Sequence, residues 1–355
     1  MTTNHNHFLD LAFYLAEKNI GHTGTNPSVG CVVVKNGSVI SSGVTSKKGR
    51  PHSEFNALNN LKNCTGASLY TTLEPCTHIG KTPPCVDIII KKKIKNVFYA
   101  FEDPDIRTFK KAKNILKING INSKLIKSKK FNDFYKSYFY NKKTLKPYVT
   151  GKIAISKDYQ TINKKKRWIT NNTSRKITHL FRNNYDCIMS TSKSINYDNA
   201  LLNCRIDGLN NNKPDLFIID LNLKIKENLS LNNLLKKRKT YLITLKKNFK
   251  KIFKYKKLGY KFILINSLES KQDFSKLFKR IYKIGYTRLL VESGLTFLNC
   301  LIKNKMMNDL YIFRSSNNLG KNGKNNDTIK YLKKSFLSKE VTINLNGDKL
   351  FKKNF

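Results

Sequence analysis

The sequence predicts an α/β protein of two domains, and three observations carry that reading. Its 355 residues, 39% of them apolar, suffice for two ordinary cores. Beyond Pro147, short apolar runs alternate with helical stretches, the rhythm of strands joined by crossover helices. Before that point, histidine, glutamate and cysteine recur at close spacings around one strand and two helix starts.

Taken in order, Phe8, Leu11, Ala12 and Leu15 recur at helical spacing and predict a first helix. Residues 31–35 and 39–43 flank Asn36-Gly37, the dipeptide that best tolerates the positive φ angles of a tight hairpin turn. A helix is expected to open at His52. Residues 69–72 read as a strand whose end delivers Glu74 and Cys76. Pro83-Pro84 suits a helix start, because the missing N–H has no partner there in any case, and it places Cys85 in the first turn. Two helix amino termini thus converge, and their positive dipole ends favour the thiolate form of a nearby cysteine.

Residues 131–143 read as an aromatic, lysine-rich connector, which sets the expected domains at 1–143 and 144–355. In the second domain, 148–156, 186–189, 216–220, 241–245, 262–265 and 289–292 read as strands of a parallel sheet. Such sheets bind ligands at the carboxyl ends of their strands, where Ser190-Thr191-Ser192 and Glu292-Ser293-Gly294 stand. No Gly-x-Gly-x-x-Gly fingerprint is present, so pattern alone does not identify a dinucleotide domain.

The chemistry is concentrated in Pro51-His52-Ser53-Glu54, Glu74-Pro75-Cys76 and Pro84-Cys85. One neutral imidazole (His52) and two thiolates (Cys76, Cys85) bind Zn²⁺ with nearly balanced charge and leave a fourth tetrahedral position for water, whose pKa falls from about 15.7 towards neutrality. Glu54, two residues beyond the histidine, can lie beside the metal without ligating it and carry the proton from water to a leaving amine. This is the ligand and proton-carrier pattern of zinc deaminases. A structural zinc site would be closed by four protein ligands and needs no adjacent glutamate.

The usual deaminase spacing between the cysteines is two residues, whereas here 77–84 intervene. Thr72-Leu73-Glu74-Pro75-Cys76-Thr77-His78-Ile79-Gly80-Lys81-Thr82-Pro83-Pro84-Cys85 resembles the zinc loop of the bifunctional riboflavin-pathway deaminase-reductase family, called RibD or RibG, and Asn26-Pro27-Ser28-Val29-Gly30 its amino-terminal motif. Lys152-Ile153-Ala154-Ile155-Ser156, Trp168-Ile169-Thr170, His179-Leu180-Phe181-Arg182 and 198–205 are similar to the reductase half of the same family. The resemblance implies a cytidine-deaminase-like zinc domain followed by a dihydrofolate-reductase-like α/β domain. It also implies Zn²⁺ and NADPH as cofactors, a small phosphorylated pyrimidine as substrate and a homo-oligomer; a cytoplasmic location is expected from the polar run Asn4-His5-Asn6-His7 and the lack of a membrane-span run. Residue by residue, it places Asn26, His78 and Lys81 on the deaminase substrate. It places Ala154, Trp168, Ser194, Asp198 and Gly294 on NADPH, and Arg182, Leu202, Arg205 and Glu292 on the ribose phosphate.

Departures from the family pattern keep a second reading open, a deaminase with a decayed reductase half. Ser-Leu-Asp-Gly is here Ser156-Lys157-Asp158-Tyr159, Asp-Asp-Pro is Asp198-Asn199-Ala200, the serine of Ile-Asp-Ser is Leu221, Gly-Pro is Gly294-Leu295, and a serine expected before Trp168 is Lys166. In the first domain an expected histidine is Thr45, and an expected glycine-rich stretch is Arg107-Thr108-Phe109-Lys110-Lys111.

The formal net charge of +45, from 68 Lys and Arg against 23 Asp and Glu, raises a third reading, a base deaminase with a basic nucleic-acid module. The basic runs are scattered over the whole chain and lysine far outnumbers arginine. Solvated lysine faces are therefore expected, with a positive field that helps capture a phosphorylated substrate. No apolar run reaches membrane-span length. The seven cysteines fit a reducing compartment better than a disulfide framework.

Overall fold

The computed structural model describes residues 4–128, 130–209, 213–333 and 339–355, which fall into two units, Met1–Leu145 and Lys146–Phe355. In the first unit, Asn36 and Gly37 turn the chain at φ 51° and 78°. They join β1 (Gly30–Lys35) to β2 (Ser38–Val44) as an antiparallel hairpin. β3 (Ser68–Thr71), β4 (Asn96–Tyr99) and β5 (Asn122–Leu125) complete a sheet ordered β2-β1-β3-β4-β5, in which β3, β4 and β5 run parallel.

The helices of this unit are α1 (His5–Glu17), α2 (Ser53–Leu58), α3 (Cys85–Lys91), α4 (Ala112–Ile118) and α5 (Lys136–Thr144). Side chains alternate across a strand, so Cys31 and Val33 pack with α2, α3 and α4, while Val32 and Val34 pack with α1 and α5. Two glycines allow the helices to approach the hairpin. A Cβ on Gly30 would lie 1.8 Å from the Ala12 carbonyl oxygen, and one on Gly43 2.3 Å from that of Ser53.

The stretch expected to be a connector belongs to this core. Phe131, Tyr135 and Tyr138 are buried, Phe131 stacks on Phe13 at 4.3 Å, and the Tyr135 hydroxyl donates to the Ser28 carbonyl at 3.0 Å. Truncating a buried aromatic of this kind costs about 3–5 kcal/mol. α5 has no clean apolar stripe to betray it, and its helicity rests on tertiary packing. The boundary expected after residue 143 lies within its last turn.

The strands of the second unit are β6 (Tyr148–Ile155), β7 (Ile162–Asn163), β8 (Cys187–Thr191), β9 (Asp215–Ile219), β10 (Thr240–Leu245), β11 (Lys261–Ile265), β12 (Arg288–Glu292), β13 (Asp309–Arg314), β14 (Gly323–Lys324), β15 (Lys339–Leu345) and β16 (Asp348–Asn354). β7 and β14 form a two-stranded ribbon, and the rest form one sheet ordered β11-β10-β9-β8-β12-β6-β13-β16-β15. From β11 to β13 every pairing is parallel. The expected all-parallel sheet is corrected at its far side, where β16 pairs antiparallel with β13 and β15 antiparallel with β16. β15 is mostly exposed, so no buried apolar run announces it.

Helices α6 (Asn172–Asn183), α7 (Ser192–Asp198), α8 (Ile252–Leu258), α9 (Lys271–Ile284) and α10 (Leu295–Lys303) follow. Phe274, Phe278 and Ile281 of α9 and Leu298 and Leu301 of α10 pack on one face of the sheet. Ile195 of α7 and Tyr255 of α8 pack on the other. β8 and β12 are parallel neighbours, so Thr191 and Glu292, their last residues, end on the same edge.

Candidate active site

In the first unit the backbone brings the three expected ligands together. His52 caps the amino terminus of α2 with extended backbone, and Cys85 is the first residue of α3. The His52 Nδ1 atom lies 3.6 Å from the Cys76 sulfur and 3.4 Å from the Cys85 sulfur. All three donor atoms fall within 4.8 Å of one another. A nitrogen and two soft sulfurs so placed fit a tetrahedral zinc ion with one position left for solvent. The Cys85 N–H donates to the Cys76 sulfur at 3.2 Å. Hydrogen bonding from Cys85, then from His52, holds the Cys76 thiol below its ordinary value, whereas that same bond and burial push Cys85 up.

Glu54 is buried beside the ligands and accepts from the Ser53 hydroxyl at 2.9 Å. Burial, and next the Cys76 thiolate, raise its carboxyl above the usual range. Glu74, by contrast, shapes the wall. Its carboxylate accepts the backbone N–H groups of Asp103, Lys110 and Ala112, each at 3.1 Å, which folds the loop between β4 and α4. Thr45, standing where a histidine was expected, is buried and accepts the Val29 N–H at 3.0 Å.

A cavity of about 100 Å³ exposes His52, Glu54 and Cys76. Asn26 lines it, held by donation to the Gly49 carbonyl at 2.8 Å, and His78 lines it with Nδ1 3.1 Å from the Thr108 hydroxyl. Lys81 is exposed and absent from its walls. Sequence reasoning missed Asp105, Arg107, Tyr138 and Lys142, all of which line the cavity. The departure from a glycine-rich stretch at Arg107 was the one local signal for the first two, and α5, read as part of a connector, concealed the others.

In the second unit Arg182 of α6 makes a two-pronged pair with Glu292 at the end of β12, Nε to Oε1 at 2.6 Å and Nη2 to Oε2 at 3.0 Å. Arg182 Nη1 also donates to the Asn203 carbonyl at 3.0 Å. The guanidinium fork expected on a ribose phosphate is thus occupied by protein groups. Arg205 is exposed and donates to the Asn203 side chain at 2.7 Å. Burial, then the cations Arg182 and Arg167, push it below its ordinary value, an environment that an anion would relieve. Leu202 is buried in an apolar cluster, and its carbonyl accepts from Arg238 at 2.6 Å, so its side chain serves the core.

Lys152, to which no role was given from sequence, stands opposite Glu292 in the β6–β12 register. Burial lowers its pKa, with Glu292 opposing and Arg182 reinforcing. A lysine inside a mostly buried strand was the available signal.

The expected cofactor residues sit around the same strand ends. The Gly294 N–H donates to the Ser194 hydroxyl at 3.1 Å, tying the amino terminus of α10 to that of α7. Asp198 ends α7, and its carbonyl accepts from Arg167 at 2.6 Å. Trp168, the single tryptophan, is 49% exposed, with the guanidinium groups of Arg167 and Arg175 at 4.8 and 4.7 Å from its ring. Ala154 lies in β6 beside Phe313. Paired loops at strand ends, an exposed indole and adjacent arginines fit an anionic dinucleotide.

Residues 2–101 match the cytidine and deoxycytidylate deaminase zinc-binding region, and residues 147–329 match the RibD C-terminal domain. Riboflavin biosynthesis protein RibD of Aquifex aeolicus is 31% identical over 313 residues, covering 86% of this chain and 85% of that protein. RibD of Buchnera aphidicola is 30% identical over 326 residues, covering 88% and 87%. Among solved structures, Acinetobacter baumannii RibD superposes with a TM-score of 0.84 at 23% identity, covering 99% of this chain and 98% of its own. A deaminase/reductase from Thermotoga maritima gives 0.80 at 24%, with the same coverage. With both domains matched in order and relatives aligned along most of their length, the chain belongs to the RibD family, a zinc-binding deaminase region followed by a RibD C-terminal domain.

Proposed function

We infer that the chain is a bifunctional enzyme of riboflavin biosynthesis. It hydrolytically deaminates 2,5-diamino-6-(ribosylamino)pyrimidinone phosphate and then reduces the ribosyl group to a ribityl chain with NADPH. The observation that carries the first step is a buried, non-ligating Glu54 beside three converged ligands on a cavity wall. When bound, zinc lowers the pKa of water towards neutrality. Glu54 takes one water proton as oxygen adds to the amine-bearing carbon and delivers it to the departing nitrogen; the remaining hydroxyl proton passes to the neighbouring ring nitrogen, so that water is consumed and ammonia and a carbonyl are formed. The Ser53 hydroxyl fixes one carboxylate oxygen and so orients the group. Asn26 and His78 face the ring from the cavity walls.

For the second step, NADPH supplies the hydride. Arg182 acts as a positioning residue that holds Glu292, Lys152 adds a cation beside that pair, and Arg205 offers its guanidinium to the substrate phosphate. Ser194, Gly294, Asp198, Trp168 and Ala154 border the dinucleotide. The retained Arg182–Glu292 pair with Lys152 alongside counts against a decayed reductase half.

Among the described residues no helix is long and apolar enough to cross a membrane, and all seven cysteines are free. A cytoplasmic enzyme acting on a small phosphorylated pyrimidine is consistent with both. A homo-oligomer follows from the family likeness and is checked by sedimentation. The deciding experiment gives purified protein the diaminopyrimidine substrate and follows ammonia release and NADPH oxidation separately. Both signals, in that order, are expected. Ammonia alone would establish the decayed-reductase reading.

A further inference from the structure

Two cations in the wall of the zinc-site cavity share one carboxylate. Arg107, in the loop after β4, places Nε and Nη2 2.8 and 2.7 Å from the two oxygens of Asp105, and Lys142, on α5, places Nζ 2.8 Å from one of them. Arg107 first, and Lys142 after it, hold the Asp105 carboxyl well below the usual range, so it is ionised. Two positive groups meet one negative group here; Asp103, buried in the same wall, also faces Arg107 and Lys142, and burial raises its carboxyl above the usual range. The Arg107 and Lys142 side chains are 59% and 27% exposed, whereas that of Asp105 is 9% exposed. The brace is thus buried and the cations face outward. Arg107 keeps Nη1 and Lys142 keeps two N–H donors beyond those directed at Asp105. Arg50, the other arginine of the cavity wall, is engaged with Thr82, and Lys81 lies outside the walls.

We propose that Arg107 and Lys142, braced by Asp105, bind the phosphate of the deaminase substrate at the rim of the cavity. The inference rests on the substrate class given under Proposed function. A flexible lysine or arginine loses rotamer freedom when it grips an anion. Anchoring both on one buried carboxylate removes part of that cost in advance. The planar fork of Arg107 suits two phosphate oxygens, and Lys142 adds a point charge. Carriage on α5, a rigid element of the core, fixes the distance from phosphate to the ring held over Glu54.

The test reads kcat/KM for ammonia release on the phosphorylated substrate and on its dephosphorylated counterpart, in the full chain with zinc bound. For Lys142→Met and Arg107→Gln the ratio of the two should fall about 10- to 100-fold, largely through KM, the loss expected for a charge-assisted bond. Lys142→Arg should keep most of the ratio, and ribose 5-phosphate should inhibit the unmodified protein far better than ribose. A ratio unchanged in both variants, with the two substrates losing rate together, would make the cluster a structural brace and overturn the proposal. So would equal inhibition of the unmodified protein by ribose and ribose 5-phosphate. Failure of the unmodified protein to release ammonia from either substrate would instead sink the deaminase assignment itself, so the two failures are distinguishable.

Discussion

Arg182 and Glu292, 110 positions apart, meet as a two-pronged ion pair with side chains only 11% and 8% exposed. Removing one member leaves the other charged and buried, at a cost of about 3–5 kcal/mol. Burial by itself would raise the Glu292 carboxyl, but Arg182, by charge and hydrogen bond, and Lys152 hold it below the usual range.

Arg182→Leu should therefore lower the denaturant midpoint of the second unit and abolish NADPH oxidation together, while ammonia release persists. The double variant Arg182→Leu with Glu292→Leu should recover most of the stability but none of the reductase activity. Arg205→Ala should weaken substrate binding without the loss of stability. Should Arg182→Leu unfold at the unmodified midpoint, the pair is not a structural anchor.

His179 supplies a pH dependence. Burial, then Arg182 and Arg205, lower its pKa to about 4, against about 6.5 in an unfolded chain. Between those values the unfolded state binds the proton and the folded state does not, so stability is lost as pH falls from about 6.5 to about 4 and levels off below. In denaturant titrations at pH 7 and pH 5, His179→Gln should reduce this acid-side loss. An identical loss in the variant would assign it to other groups.

Cys85→Ser should lower zinc occupancy, since a hydroxyl poorly replaces a thiolate where the chain provides three ligands. Ammonia release should fall in proportion to the metal. Stoichiometric zinc after dialysis against a chelator would remove Cys85 from the ligand set.

Glu74→Gln should destabilise the loop after β4, because an amide cannot accept three N–H groups with the strength of a carboxylate. Faster hydrogen exchange at Asp103, Lys110 and Ala112 is the expected readout, and unchanged protection there would contradict the bracing role.

The sequence was most legible where local chemistry sets the structure. Asn36-Gly37 specified its hairpin, and the spacing of His52, Glu54, Cys76 and Cys85 pointed to a candidate metal site, with His52 and Cys85 at helix starts and Cys76 in the loop after β3. It was least legible where distant groups decide. The stretch from Phe131 into α5 mixes aromatics with lysines and shows its inward face only where Phe131 stacks on Phe13 and Tyr135 donates to Ser28. The Asp105–Lys142 contact spans 37 positions, and nothing near Arg182 in the sequence announces that Glu292 rather than a phosphate fills its fork. β15 and β16 lack the buried apolar runs that marked the parallel strands.

The central claim is that one chain carries two separable reactions, and Glu54→Gln tests it most directly. The variant keeps the side-chain shape and the ligands, so zinc should be retained while ammonia release falls roughly 10²-fold or more. Supplied with the already deaminated phosphoribosylaminouracil, it should oxidise NADPH as the unmodified protein does. Undiminished ammonia release by a zinc-loaded variant, or no NADPH oxidation by the unmodified protein on that compound, would contradict the account.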